Sequence, residues 1–333
     1  MKTSAMRLLV SLLVALFLPL AALAECVGQN LIDALPADQT AAIRAAADAV
    51  PFAHGNFWTA ERDGQKITLA GTLHIDDPRH EAATQWLIPE ILGTSALLVE
   101  AGPEEEKALL AYIAAHPERM IIQTGPTLPE ALPEAQWQRL SGALRARGIP
   151  PFMAAKLQPW YVASILAIPA CQLSLGAAMN GLDRRLTDAA TAGGIQVQAL
   201  EPFDTIFGIF DNFTQADQMA MLVQTLADVD GNDDMAVTLS DSYFAGENRL
   251  FWEFSKLHLL NVPGLSPQEL QREFDLMETA MITRRNATWI APIEAAAAKG
   301  PVVVAFGALH LPGDKGVLNL LAQNGWTISP LPQ

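Results

Sequence analysis

Lys66-Ile-Thr-Leu-Ala-Gly-Thr-Leu-His74 and Val302-Val-Val-Ala-Phe-Gly-Ala-Leu-His310 decide the reading of this chain. Each is an apolar β-type run that ends in Gly-x-x-His, with Gly71 leading to His74 and Gly307 leading to His310. A buried strand that ends in glycine and then presents a histidine suits a site at the carboxyl edge of an α/β sheet. Glycine there permits unusual dihedrals and close backbone approach to a ligand.

Outward from the first motif, Asp77-Pro78 reads as an N-cap with proline at the first helical position. An amphipathic helix to about Gly93 follows, and then the strand Ala96-Leu-Leu-Val with Glu100 at its end. Outward from the second, Asp314 reads as the cap of a short helix through Leu321, which Asn324-Gly325 stops before a last strand, Trp326-Thr-Ile-Ser329. The pattern predicts an α/β fold: two βαβ units that form a central sheet, with a large, mostly helical insertion at about 104–298 between them. If the two lead strands lie close together, His74, His310 and Glu100 converge. Two imidazoles and a carboxylate suit a divalent transition metal with open positions for water and substrate.

The chain resembles the TraB/GumN family, the bacterial relatives of the Tiki metalloproteases, over almost its whole length after residue 24. The residues that carry the resemblance are Gly71-Thr-Leu-His74, Leu98-Val-Glu100, Leu157-Gln-Pro-Trp160, Gly181-Leu-Asp183, Leu200-Glu201, Arg285-Asn286 and Phe306-Gly-Ala-Leu-His-Leu-Pro-Gly313. It implies that His74, His310 and Glu100 are the metal and catalytic residues. It also implies roles beside the sheet edge for Arg285, which pairs with Glu100 or holds a substrate carboxylate, and for Asn286, which orients a substrate carbonyl. Glu201, a second strand-end carboxylate, reads as a further ligand or as a partner behind the ligands. Asp183 reads as a helix cap and Trp160 as core.

The sequence has 333 residues, half of them hydrophobic, and a formal charge of −15. So acidic a chain without a basic stripe excludes nucleic acid as a partner, because phosphate binding rests on clustered Lys and Arg. Lys2 and Arg7, the apolar run Leu8 to Leu20 and Ala22-Leu-Ala24 have the form of a cleavable signal peptide. The expectation is therefore a periplasmic or secreted protein that begins at Glu25, consists of a single domain over 25–333 and keeps no membrane span. Cys26 and Cys171, the chain's two cysteines, are expected to be joined in an oxidising compartment. His54, His80, His116 and His258 lie outside such motifs and read as structural or solvated.

There is no Gly-x-Ser-x-Gly elbow, no His-Glu-x-x-His, no P-loop and no Gly-x-Gly-x-x-Gly. Nucleotide cofactors are unsupported. The leading expectation is an exported metal-dependent hydrolase, peptidase-like, using manganese, cobalt or zinc on a peptide or other small polar substrate. Two alternatives stay open. One is a metal-independent hydrolase like the erythromycin esterases, in which a histidine and a glutamate activate water. The other is a periplasmic protein that binds a peptide or polysaccharide precursor without turning it over.

Overall fold

The strands are β1 (Phe57–Arg62), β2 (Gln65–Thr72), β3 (Ala96–Val99), β4 (Gln196–Ala199), β5 (Val302–Gly307) and β6 (Thr327–Pro330), and they form one sheet in the order β4-β3-β5-β2-β1-β6. This is a computed structural model. It describes residues 26–332 apart from 174–179, 212 and 261–265, so the expected targeting segment lies outside the described residues. The four strands from β4 to β2 run parallel, and β1 is antiparallel to both β2 and β6.

The fold is α/β as the sequence predicts, and its decisive feature is the place of β5. The chain crosses from β2 to β3 through the helix His80–Leu92 and skips one position, which β5 fills from the far end of the sequence. The two Gly-x-x-His strands are thus direct neighbours, with Gly71 opposite Phe306 and Thr72 opposite Gly307. The crossover after β5 passes over β2 and β1, so β6 ends the sheet on the other side.

Both faces of β5 are covered, as a continuous apolar run in a parallel strand requires. Val302, Val304 and Phe306 pack under Trp289, Ile293, Leu318 and Leu321 of the helices Arg284–Ala297 and Val317–Gln323. Val303 and Ala305 pack under Leu87, Ile91, Leu182 and Leu186 of the helices His80–Leu92 and Leu182–Ala192. Burying each of the larger side chains contributes about 2 kcal/mol.

β1 is an element that the sequence reading leaves out. It enters through a hairpin whose two turn residues, Asp63 (φ 51°) and Gly64 (φ 77°), take the paired left-handed conformation that matches the twist of the flanking strands. Neither expected aspartate cap holds. Asp77 accepts the Arg79 backbone N–H at 2.8 Å, a local turn that delays the helix to His80. After His310, Gly313 at φ +101° and the bond from Gly316 N–H to Gly313 O (2.9 Å) form a turn, and the helix starts at Val317. Pro292 does not end its helix. The burial of Trp289, Ile290 and Ile293 outweighs the missing N–H.

The insertion is mostly helical with β4 inside it, and it builds a second core around Leu128, Leu140, Leu144, Val162, Leu166 and Leu222. Cys26 and Cys171 are joined by a disulfide, with Cα atoms 5.4 Å apart across 145 positions of sequence. Closing so long a loop stabilises by about 5 kcal/mol in the chain-entropy account. Among the described residues no helix is long and apolar enough to cross a membrane.

Candidate active site at the carboxyl edge of the sheet

Because β4, β3, β5 and β2 are parallel and adjacent, their carboxyl ends share one edge, and just beyond those ends stand Glu201, Glu100, His310 and His74 in that spatial order. Sequence separations of up to 236 positions vanish in the sheet. Glycines make the approach possible, but not through unusual dihedrals, since neither Gly71 nor Gly307 has positive φ. A Cβ on Gly71 would sit 2.6 Å from Leu311 Cδ1 and 2.9 Å from Ala308 Cβ, so only glycine lets the His310 turn lie on β2. At Gly307 the backbone N–H donates to Glu100 Oε1 at 2.7 Å. Gly181 plays the same part for His74, because a Cβ there would collide with Leu73 O and His74 Cα.

Arg285 ties the acidic side together. It reaches the edge from the helix Arg284–Ala297, directly after a π-turn at Thr279–Thr283, a helical irregularity that often re-aims a functional side chain. Its Nε and Nη2 donate to the two oxygens of Glu201 at 2.9 and 2.7 Å, and Nη2 also donates to Glu100 Oε2. Its Nη1 donates to Met281 O at 3.1 Å and lies 3.3 Å from His310 Nε2. The guanidinium stands over the Trp289 ring at 4.9 Å, and Trp289 Nε1–H in turn donates to Glu201 Oε2 at 3.2 Å.

His310 is buried and its tautomer is fixed. Asn286 spends its amide donors on His310 O (3.3 Å) and Lys315 O (2.8 Å), so the atom 2.6 Å from His310 Nδ1 is the Asn286 carbonyl oxygen. Nδ1 therefore carries the proton, and Nε2 presents a lone pair toward Arg285 and the sheet edge. Burial, assisted by Arg285 and His74 and opposed by Glu100, lowers the His310 pKa to about 4.

His74 has the opposite character. Its Nδ1 lies 3.0 Å from Asp183 Oδ1, and its side chain is 52% exposed. Burial of its surroundings works against the charge, but Asp183 and then Glu100 raise its pKa to about 9. Glu100 is held well below the usual carboxylate range. Burial opposes its ionisation, and His310, Arg285, His74 and the Gly307 N–H overcome it. At neutral pH, where His310 is uncharged, Arg285, His74 and the Gly307 N–H sustain that state.

The structure thus brings His74, Glu100, His310, Arg285, Asn286 and Glu201 to one edge. Asn286, expected to face a substrate carbonyl, is committed to His310 instead. Asp183, read as a helix cap, follows Leu182 in the first turn of its helix and partners His74. Its signal was its place in Gly181-Leu-Asp183, with the glycine that lets the helix meet the His74 backbone. The one grouping of three potential metal-ligand side chains within 4.8 Å of one another among the described residues is Cys26, Cys171 and Asp233, where the disulfide consumes both sulfurs. His74, Glu100 and His310 offer suitable donor types, but they do not form such a group. A cavity of about 260 Å³ lies nearby, lined by Trp252, Ile282, Leu309 and Lys315, and none of these edge residues lines it.

A search of curated proteins finds no match. The model of the TraB/PrgY/gumN family matches residues 56–330, which span the sheet and every residue of this edge, and the chain belongs to that family.

Proposed function

We propose that this protein is an exported hydrolase that activates water at the sheet edge for attack on the carbonyl of a peptide or another small polar substrate. The observation that carries the reading is the split between two histidines on adjacent strands. His310 turns Nδ1–H to the Asn286 carbonyl oxygen and leaves Nε2 an acceptor, whereas His74 sets Nδ1 3.0 Å from Asp183 Oδ1, whose carboxylate favours the charged imidazole. Environments that push two like groups apart assign them opposite proton-transfer roles. A water molecule displaces the Arg285 Nη1–H from the His310 Nε2 lone pair and gives its proton to that nitrogen as its oxygen bonds to the carbonyl carbon. The oxyanion that forms faces Arg285, a fixed cation in a water-poor setting. As the tetrahedral centre collapses, the leaving nitrogen or oxygen takes a proton from His74. Glu100 and Glu201 hold Arg285 in place, and Asn286 keeps the proton of His310 on the far nitrogen.

The metal expected from the sequence fits the donor types of His74, His310 and Glu100 but not their resting arrangement. Both Glu100 oxygens are bonded, and Arg285 stands before His310 Nε2. The experiment is hydrolysis of a peptide library and an ester panel by wild type, His310→Gln and Glu100→Gln. A fall of at least roughly a hundredfold in both variants is expected, the usual size of a general-base contribution or more. Wild-type rates in both would end the reading; binding without turnover by wild type would favour a capture protein.

Export is proposed on the basic start, the apolar run and Ala24, together with the disulfide. Intact mass of the mature protein should correspond to a chain that begins at Glu25. Retention of Met1 would contradict it.

A further inference from the structure

We propose that Arg285 occupies the cation position of this centre, so that a divalent ion reaches Glu100 and His310 only by displacing the guanidinium. The inference rests on the same edge as the proposed hydrolase but makes a separate claim, about what the site binds. Three facts carry it. Arg285 Nη2 is bonded to Glu100 Oε2, and Nη1 lies 3.3 Å from His310 Nε2, so one guanidinium faces the two atoms a metal would use. The other Glu100 oxygen accepts from the Gly307 backbone, which fixes the carboxylate against turning toward a new partner. Finally, Arg285 is anchored from behind by both oxygens of Glu201, by Met281 O and by the face of Trp289.

Arginine suits this role in a way lysine does not. A buried lysine vacates a cation position by losing its proton, whereas a guanidinium stays charged at any physiological pH and leaves only by moving. A divalent ion beside an unmoved Arg285 would meet like charge at close range inside a largely buried site, where screening is weak. Co-occupancy is therefore disfavoured, and displacement breaks the bonds to Glu201 and Met281. The tautomer of His310 supports the same reading. Asn286 keeps Nε2 as an acceptor, and an acceptor there is equally good for an Arg N–H and for a metal. The two compete for one lone pair.

The test measures metal binding, not activity. Full-length exported protein is stripped with chelator, dialysed and titrated calorimetrically with Mn²⁺, Co²⁺ and Zn²⁺, and Co²⁺ absorption reports the ligand set. The wild type, Arg285→Met, Glu201→Gln and Arg285→Met/His310→Ala are compared, with circular dichroism to confirm folding. Arg285→Met should bind one equivalent at least about tenfold more tightly than wild type, and the added His310→Ala should abolish that gain. Where Arg285→Met fails to fold, Glu201→Gln decides. It removes the charge of the Glu201 anchor while keeping the guanidinium, and it should raise affinity in the same direction. Tight one-to-one binding by wild type with no gain in either variant overturns the proposal, as does a gain that survives in the double variant. Absence of turnover on every substrate would sink the hydrolase reading and leave this result untouched.

Discussion

Replacing Asn286 with alanine removes in one step the acceptor for His310 Nδ1–H and the donor to two carbonyls. Asn286 is fully buried, and its bonds measure 2.6 Å to His310 Nδ1, 2.8 Å to Lys315 O and 3.3 Å to His310 O. Truncation strands two buried polar groups and one part-buried carbonyl at roughly 1 kcal/mol each, the longest bond counting least, so stability should fall by about 2–3 kcal/mol. For a chain of this length that lowers the melting temperature by roughly 3–5 °C. The same change frees the proton on His310. The assay joins thermal unfolding with ¹⁵N-detected imidazole NMR near neutral pH. Wild type should show His310 with a protonated Nδ1 and a bare Nε2, and the variant a mixture of tautomers. A variant that melts within roughly 1 °C of wild type and keeps the pure Nδ1–H form would refute the argument.

Other perturbations follow from the same geometry. Asp183→Asn should move the His74 pKa from about 9 back toward 6.5, as read by proton NMR titration; a shift smaller than the full difference is expected because the ring is half exposed. His310, depressed from 6.5 to about 4, contributes stability that is complete above pH 6.5 and is lost as pH falls through 4. The loss is about 3 kcal/mol, and His310→Gln should flatten that limb of the denaturation profile against pH. Gly181→Ala should loosen the His74 turn and cut activity at least tenfold with a native circular dichroism spectrum, since its Cβ meets backbone that cannot yield. Reducing Cys26–Cys171 should destabilise by up to about 5 kcal/mol in denaturant titration. It should also unsettle Asp76, two positions past His74, which Gln172 holds through bonds to its N–H (3.2 Å) and carbonyl (3.4 Å).

What the sequence reveals here depends on whether a residue's task is local. The Gly-x-x-His ends are legible because strand, glycine and histidine are contiguous, whereas the pairing of β2 with β5 is only a condition in the sequence and is set by the long-range crossover that places β5 between β3 and β2. β1 escapes notice because Phe57–Arg62 alternates weakly, although Asp63-Gly64 is a hairpin turn signal in plain view. Arg285 and Glu201 are legible as types, and the structure pairs them with each other. The direction in which Arg285 points is not legible, since the π-turn before it shifts the helical phase. Asn286 and Asp183 are misassigned for one reason: each acts across the fold on a histidine that no periodicity connects to it.

The most direct test of the central claim is the pH dependence of single-turnover hydrolysis, measured on one cleaved substrate for wild type and Asp183→Asn. A base that works unprotonated and an acid that works protonated give a bell, with an acidic limb set by His310 near 4 and an alkaline limb set by His74 near 9. Asp183→Asn should draw the alkaline limb toward neutrality and leave the acidic limb in place. A profile whose alkaline limb ignores Asp183, or one with no acidic limb at all, would contradict the assignment of the two histidines.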